Sequence, residues 1–224
     1  MLPHAVIFDM DGLLIDSETV SAQAFKDTAN DYGLSNSYDI FLSLVGCNEN
    51  SHKIILEEKL GQQLDTHQFR TDWIDRYQAI LAKGVPPLLP GVTELLDWLQ
   101  SVGIKMAVAT SSGANTAEHK LSSNGIIDFF QSITSGDDVE ISKPNPEIYI
   151  KAAASINVQP SNAWALEDSE NGVRAAVAAG LIVIQVPNLV EPSSDLLSLG
   201  HTVHTDLHQV LTSLKSLERE ENQP

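Results

Sequence analysis

The chain has 224 residues, of which 42% are hydrophobic and 19% are charged, enough apolar material for one α/β domain or for one domain with an insert. Its formal net charge of -17 disfavours binding to nucleic-acid backbones and anionic membranes, and a site for a phosphorylated molecule would need local positive charge, such as a metal ion. The single cysteine, Cys47, excludes an internal disulfide framework and is typical of a cytoplasmic protein.

The first predicted element is a buried strand at Ala5–Phe8, where a short apolar run shows no polar alternation. From residue 17 to about residue 84 the sequence shows helical patterns and no convincing strand. The positions that mark three helices there are Val20, Ala24, Phe25, Thr28, Tyr32, Ile54, Ile55, Leu60, Trp73, Ile74, Tyr77, Ile80 and Leu81. A stiff, proline-rich linker follows at residues 85–90. We therefore predict a helical-bundle cap at residues 17–86, inserted into a core formed by residues 1–16 and 87–224.

After the linker, helical patterns alternate with short apolar runs. A helix is predicted at residues 92–99, and Asn145 and Pro146 are predicted as the N-cap and first-turn proline of a second helix. Ser169 is predicted to cap a third helix. Strands are predicted at residues 104–109, 163–166 and 181–184, with a weaker one at 130–133. This alternation predicts an α/β fold with a doubly wound, parallel, Rossmann-like sheet.

Polar clusters follow the carboxyl ends of the predicted strands. These clusters are Asp9-Met10-Asp11-Gly12, Thr110-Ser111-Ser112, Lys143-Pro144 (after a loop) and Glu167-Asp168-Ser169. In an open parallel sheet the ligand crevice lies outside the carboxyl ends of the strands, at a topological switch point. We therefore expect these clusters to converge on one site.

The carboxylates of Asp9, Asp11 and Asp168 would crowd together at that site. Two like unit charges ~4 Å apart repel by about 4 kcal/mol at an effective dielectric constant of about 20, so a group of three carboxylates needs a cation. Oxygen ligands alone favour a hard ion, and Mg²⁺ typically binds a few carboxylates together with phosphate and water. Asp11-Gly12 alone could simply begin a turn, but the combination of acidic strand ends favours a metal site.

Thr110, Ser111 and Ser112 lie between a predicted strand and a helix, where backbone N–H groups and hydroxyls can bind a phosphate. An ordinary helix N-cap is the alternative for these residues. Lys143 could neutralise a phosphate oxygen or hold a nucleophile, although a lone lysine before proline is usually a surface residue. A carboxylate such as Asp9 can attack phosphorus, and a second carboxylic acid two residues later can protonate the leaving group and then activate water.

The same residues, in this order, resemble the four motifs of the haloacid dehalogenase-like hydrolase superfamily. The matching motifs are Asp9-Met10-Asp11-Gly12 with Asp16-Ser17, Thr110, Lys143-Pro144 and Glu167-Asp168. The helical insert resembles the cap of the β-phosphoglucomutase-like phosphatase branch of this superfamily. The resemblance covers the chain from about residue 5 to residue 206.

The resemblance implies a role for each motif residue. Asp9 would be the nucleophile and a Mg²⁺ ligand, and Asp11 would be the general acid/base and a ligand through its backbone carbonyl. Thr110 would bind the transferring phosphate, and Lys143 would steady the charge on Asp9 and on the phosphate. The further metal ligands would be Asp168 and Glu167, and the phosphate pocket would be lined by Ser111, Ser112 and Asn115.

Two positions depart from the mutase of this branch. The mutase has a histidine in the helix that leads into the cap, where this chain has Ser21. The mutase and several sugar phosphatases carry an arginine after a glycine in the first cap loop, whereas Gly46 is followed here by a polar, acidic segment that would repel a second phosphate. The departures imply a monophosphorylated, hydroxyl-bearing substrate. The specificity candidates, which a plain polar loop would also explain, are Asn48, Glu49 and Asn50.

We therefore predict a Mg²⁺-dependent phosphatase that hydrolyses a small phosphorylated metabolite, such as a sugar phosphate, through an aspartyl-phosphate on Asp9. The alternatives are a phosphomutase of the β-phosphoglucomutase type and a non-catalytic, receiver-like module that accepts phosphate. Arg76 and Lys53 are candidates for a cation in the cap. We expect a cytoplasmic monomer or weak dimer with no nucleic-acid or membrane partner.

Overall fold

The structure is a computed structural model that describes residues 1–47 and 49–221. Its strands are β1 (Ala5–Phe8), β2 (Lys105–Ala109), β3 (Ser132–Thr134), β4 (Ala163–Glu167), β5 (Ile182–Gln185) and β6 (Thr202–Val203). Over the described residues they form a six-stranded sheet in the order β3-β2-β1-β4-β5-β6, and every pairing is parallel. The predicted α/β fold with a doubly wound, Rossmann-like sheet is confirmed.

The helices are described in chain order. They are α1 (Ser17–Asp31), α2 (Ser37–Leu42), α3 (Glu49–Leu60), α4 (Thr66–Leu81), α5 (Val92–Ser101), α6 (Ala114–Ser123), α7 (Glu147–Ser155), α8 (Glu170–Ala178), α9 (Ser194–Leu197) and α10 (Leu207–Glu221). Among the described residues, no helix combines the length and the apolar character that a membrane span requires.

Apolar residues on both faces of the sheet explain why the strands read as continuous hydrophobic runs. In β1, Val6 and Phe8 join a buried cluster with α5, α6 and α10, whereas Ala5 and Ile7 join a cluster with α7 and α8 on the opposite face. All four residues of β1 have no exposed surface. A strand that is covered on both faces has no position for a polar side chain, so the absence of alternation follows from the layered architecture.

Helices α1 to α4 pack around an aromatic cluster of their own. The ring of Phe25 meets the rings of Phe69 and Trp73 edge-on, with centroids 5.3 Å and 5.0 Å apart. Phe41 from α2 completes the cluster. Edge-to-face packing of this kind adds stabilisation beyond the burial of area. The described part of the segment between α1 and α4 contains no strand, which agrees with the predicted all-helical insert.

The start and the end of the insert lie side by side. The backbone N–H of Asp16 donates to the carbonyl of Pro87 at 2.9 Å, and the backbone N–H of Leu89 donates to the carbonyl of Leu14 at 3.0 Å. Helix α1 begins directly after Asp16, whose side chain accepts from the backbone N–H of Thr19. These contacts agree with a cap at residues 17–86, whose boundaries stay a prediction.

Three details differ from the expectations. Strand β6 was not predicted, because its two residues are exposed and leave no apolar run. Strand β3 lies at Ser132–Thr134, not at residues 130–133. Helix α7 begins at Glu147, so Pro146 occupies the N-cap position and not the first turn. The side chain of Asn145 still accepts a hydrogen bond from the backbone N–H of Glu147 at 3.0 Å. The helix therefore begins one residue later than predicted, and Asn145 still supplies a hydrogen-bond acceptor to its first turn.

Candidate active site

The residues that follow β1, β2 and β4 lie next to one another because these strands are neighbours in the sheet. The backbone N–H of Asp9 donates to the carbonyl of Leu166 at 2.9 Å, so the ladder of hydrogen bonds continues past the end of β1. The predicted residues that the structure brings to one cleft are Asp9, Asp11, Thr110, Ser111, Ser112, Lys143 and Asp168. The expected convergence of the strand-end clusters is therefore observed.

Lys143 is the cation at the floor of the cleft, and only 5% of it is exposed. Its Nζ atom donates to Oδ1 of Asp9 at 2.5 Å, to Oε1 of Glu167 at 2.6 Å and to the carbonyl of Ala109 at 3.0 Å. Burial alone would lower the pKa of the amine, but the charges of Asp9 and Glu167 raise the pKa of Lys143 above its usual range. The amine is therefore held in its charged form directly against Asp9.

Glu167 is fully buried and fixes the position of Lys143. Its Oε1 atom accepts from Lys143 and from the hydroxyl of Tyr149 at 2.7 Å, while Oε2 accepts from the backbone N–H of Asp168 at 3.1 Å. A side chain at position 172 would not fit, since a Cβ added to Gly172 would lie 1.8 Å from Oε1 of Glu167. Glycine at this position is what allows α8 to approach the carboxylate.

Asp9, Glu167 and Asp168 form a group of buried carboxylates that suits a divalent cation. Each offers one oxygen atom, and these atoms lie within 4.8 Å of one another. Burial raises the pKa of Asp9 to about 7, with Lys143 opposing and Glu167 adding to the rise. Burial and the charges of Glu167 and Asp9 hold the pKa of Asp168 well above its usual range. This excess of negative charge, presented by oxygen atoms alone, fits a hard ion such as Mg²⁺.

Asp11 lies beside this group and takes its hydrogen-bond partners from α6 and from the turn that precedes α6. Its Oδ1 atom accepts from Nζ of Lys120 at 2.5 Å, and its Oδ2 atom accepts from the hydroxyl of Ser112 at 2.7 Å. Although burial raises the pKa of Asp11, the charge and the hydrogen bond of Lys120 outweigh burial and lower it below its usual value. The described arrangement therefore holds Asp11 as an ionised carboxylate that does not hydrogen-bond to Asp9.

The segment after β2 forms the wall on which a phosphate is expected. The buried hydroxyl of Thr110 accepts from the backbone N–H of Ser112 at 3.1 Å, which fixes the turn before α6. Ser111 and Ser112 line the cleft, and Gly113 occupies the N-cap position of α6 without a side-chain cap. The structure does not bring Asn115, which is exposed on α6, to the cleft.

The cap covers the cleft, which has a volume of about 600 Å³. Of the predicted specificity candidates, Asn50 lines the cleft, whereas Asn48 and the side chain of Glu49 lie outside the described residues. The predicted cap cations do not line it: Arg76 pairs with Asp31 on the cap surface, and Lys53 lines a separate depression. The cap residues that do line the cleft include Glu18, Ser21, His52, Arg70, Trp73 and Tyr77.

Sequence reasoning missed Glu18, Arg70 and Lys120. Glu18 follows the first motif, and burial together with the charge of Asp11 raises its pKa to about 7. Arg70 lies on α4 and is recognisable as a cleft residue only once the cap has folded over the core. Lys120 left a signal that could have been used, because it shares the buried face of α6 with Ala117 and Leu121 at helical spacing.

Comparison with known proteins places this geometry in a family. The model of the haloacid dehalogenase-like hydrolase family matches residues 6–186. The chain is 31% identical over 215 residues to the phosphorylated carbohydrates phosphatase of Thermotoga maritima, covering 96% of this chain and 99% of that protein. It is 31% identical over 194 residues to hexitol phosphatase B of Escherichia coli K12, and the alignment covers 82% of this chain and 83% of that protein. The crystal structure of CbbY from Rhodobacter sphaeroides in complex with phosphate superimposes with a TM-score of 0.70 at 28% identity. The superposition covers 94% of this chain and 96% of the CbbY chain.

Proposed function

The chain belongs to the haloacid dehalogenase-like hydrolase family, and we propose that it is a Mg²⁺-dependent phosphatase that removes phosphate from a small phosphorylated carbohydrate. The predicted family resemblance and the prediction of a phosphatase are confirmed by the family match and by relatives that are named phosphatases. The observation on which the mechanism depends is the contact between Asp9 and Lys143 at 2.5 Å, beside Asp168. A cytoplasmic location and a monomeric or weakly dimeric state stay predictions.

Asp9 and Asp168 would hold the Mg²⁺ ion, together with the backbone carbonyl of Asp11. When bound, the ion supplies positive charge against the oxygen atoms of the transferring phosphoryl group. Glu167 stays a proposed further ligand, because one of its oxygen atoms lies within 4.8 Å of those of Asp9 and Asp168. We also assign Glu167 the role of orienting Lys143, which follows from the 2.6 Å contact between them.

Asp9 is the proposed nucleophile. Its carboxylate oxygen forms a bond to phosphorus while the ester bond to the carbohydrate oxygen breaks, giving an aspartyl-phosphate. Lys143 holds Asp9 in place and offsets the negative charge that develops on the phosphoryl group. Hydroxyl and backbone N–H groups of Thr110, Ser111 and Ser112 would bind the phosphate oxygens at the cleft wall.

Asp11 is the proposed general acid and base. In the first step it gives a proton to the departing carbohydrate oxygen, and in the second it takes a proton from the water that attacks the aspartyl-phosphate. That attack releases inorganic phosphate and restores the Asp9 carboxylate. The contact with Lys120 favours the ionised form of Asp11, so Asp11 takes up a proton before the first step, while its Oδ1 atom keeps Lys120 as its neighbour.

The cleft as a whole suits a molecule with several hydroxyl groups. Its volume of about 600 Å³ lies within the range typical of small-molecule sites, roughly 300–1,000 Å³. The ring of Trp73, stacked against His52 with centroids 5.7 Å apart, provides an apolar surface in its wall. Glu18 and Asn50 add polar groups that can hydrogen-bond to hydroxyls. These features, together with the names of the relatives, support a phosphorylated sugar or polyol.

A panel of sugar and polyol monophosphates tests the proposal directly. We expect release of inorganic phosphate from at least one member with Mg²⁺, loss of that release on chelation, and recovery when Mg²⁺ is restored. A panel member that is converted into an isomeric phosphate without release of inorganic phosphate would instead support the mutase. Full turnover in the presence of a chelator would contradict the assignment of Asp9 and Asp168 as metal ligands.

Replacing Asp11 by asparagine tests the acid role through the leaving group. The ratio kcat/KM reports the steps up to the transfer of the phosphoryl group, so it isolates the protonation of the leaving oxygen. We expect D11N to lower kcat/KM by about 10²- to 10⁴-fold for a sugar or alkyl phosphate and far less for 4-nitrophenyl phosphate, whose leaving group needs no proton. An equal loss for both substrates would remove the acid role from Asp11.

A further inference from the structure

Lys120 is a buried lysine close to the cleft whose amine the proposed reaction does not use. Only 3% of it is exposed, and it does not line the cleft itself. Lysine is almost never fully buried unless its charge is paired, because removing an ammonium group from water costs free energy. The partner here is Asp11, whose Oδ1 atom lies 2.5 Å from Nζ of Lys120. The buried ion pair of Lys120 therefore involves Asp11, the proposed general acid and base.

The two oxygen atoms of Asp11 are fixed by different partners. Lys120 donates to Oδ1 from α6, and the hydroxyl of Ser112 donates to Oδ2 from the turn that precedes the same helix. With both oxygens bound, rotation of the carboxylate breaks at least one hydrogen bond. A catalytic group whose orientation is set in this way spends less entropy on reaching its reactive position.

The same lysine lies between the core and the cap. Its Nζ atom is 5.9 Å from the centre of the ring of Tyr77, which belongs to α4 of the cap and lines the cleft. The side-chain amide of Asn124 donates both to the carbonyl of Lys120 at 2.9 Å and to the carbonyl of Pro86 at 3.1 Å, in the linker that leaves the cap. Lys120 thus contacts the cap through Tyr77, and its backbone carbonyl is linked to the Pro86 carbonyl through Asn124.

We infer that Lys120 is a positioning residue for the proposed reaction: it orients the Asp11 carboxylate and acts on the substrate only through Asp11. This inference rests on the proposed function, since it assumes that Asp11 moves a proton. A purely structural role, in which Lys120 only offsets charge in the fold, predicts a different response to mutation. The two roles predict different effects of a Lys120 substitution on kcat once Asp11 itself has been replaced.

The test is a double-mutant cycle between Lys120 and Asp11, measured on a sugar phosphate that the wild-type enzyme hydrolyses with Mg²⁺. We expect Lys120→Met to lower kcat by about 10- to 100-fold with KM changed less than about twofold, because the loss of orientation removes part of the acid/base contribution. In the Asp11→Asn background the same substitution should lower kcat less than about twofold. Lys120→Arg should recover part of the lost rate, since it restores a donor and a charge.

The controls distinguish the possible failures. Lys215→Met, on the exposed surface of α10, should leave activity and thermal unfolding unchanged. Equal losses of kcat from Lys120→Met in the wild-type and Asp11→Asn backgrounds would overturn the positioning role while leaving the phosphatase intact. If Lys120→Met does not fold, the cycle with Lys120→Gln, which also removes the positive charge, decides in the same way. Absence of phosphate release by the wild-type enzyme would overturn the proposed function, and the inference with it.

Discussion

Replacing Asp9 by asparagine is expected to abolish phosphate release, with a fall in kcat on the order of 10⁴- to 10⁶-fold, the scale seen when a catalytic nucleophile is removed. The amide lacks the negative charge that attacks phosphorus, and it is a weaker ligand for Mg²⁺. The fold should stay intact, because asparagine has nearly the same shape and removes one charge from a crowded group of carboxylates. Phosphate release and thermal unfolding measured on the same preparation check both parts.

An exposed aspartate provides the matched control for this substitution. Asp97 lies on α5, and D97N makes the same chemical change away from the cleft, so it should retain full activity. Normal turnover by D9N would remove Asp9 from the mechanism. A D9N protein that has lost its cooperative unfolding transition would show instead that the carboxylate is needed for folding, which contradicts the expected role.

Replacing Lys143 by methionine is expected to affect both stability and activity. The substitution leaves the buried carboxylates of Asp9 and Glu167 without the ammonium group that now lies 2.5 Å and 2.6 Å from them. Removing one partner of a buried ion pair typically costs about 3–5 kcal/mol of unfolding free energy. Loss of a charged donor beside the phosphoryl group should also lower kcat by about 10²- to 10³-fold or more. Urea unfolding and phosphate release measure the two effects.

Lys151 is the matched control for the lysine substitution. It lies on α7, its side chain is 47% exposed, and it pairs with Glu147 at the surface. K151M should change the unfolding free energy by less than about 1 kcal/mol, the usual range for an exposed ion pair, and should leave activity unchanged. A similarly small effect of K143M would show that the ammonium group of Lys143 does not balance the buried carboxylates. The assigned role of Glu167 would then fail as well.

The central strands were predictable from sequence because they are buried on both faces, so each appears as a short apolar run. Strand β1 shows this most clearly, with no exposed surface on any of its residues. The edge strand β6 could not be predicted, since Thr202 and Val203 are exposed and pair with only one neighbour. Its existence depends on the partner strand β5 and not on its own residues.

The convergence of the strand-end motifs was predictable for a topological reason. Parallel strands present their carboxyl ends at one edge of the sheet, so Asp9, Thr110 and Asp168 must be neighbours once the strand order is known. Lys120 and Arg70 were missed because a lysine or arginine in a helical pattern is usually a surface residue. Whether Arg70 faces the cleft depends on how the helices pack against each other, which local spacing does not contain, whereas the spacing of Lys120 with Ala117 and Leu121 already indicated a buried position.

The glycines of the site illustrate the same limit. Gly172 lies inside α8 with no sequence signal beyond its identity, yet a Cβ there would collide with Glu167. Gly12 has a φ of +83°, and a Cβ added to it would lie 2.2 Å from Oδ2 of Asp168. A turn was weighed only for Asp11-Gly12 taken alone, and the close approach of Gly12 to the Asp168 carboxylate becomes visible only in three dimensions.

Transfer of labelled phosphate to the enzyme tests the central claim most directly. A radiolabelled sugar phosphate that the enzyme hydrolyses is mixed with an excess of enzyme and Mg²⁺ and quenched in acid within the first turnover. We predict a protein-bound label that is released by hydroxylamine, as an acyl phosphate should be, and that maps to the peptide containing Asp9. Phosphate release at the full rate without a label on Asp9, or with the label on another residue, would contradict the proposed mechanism.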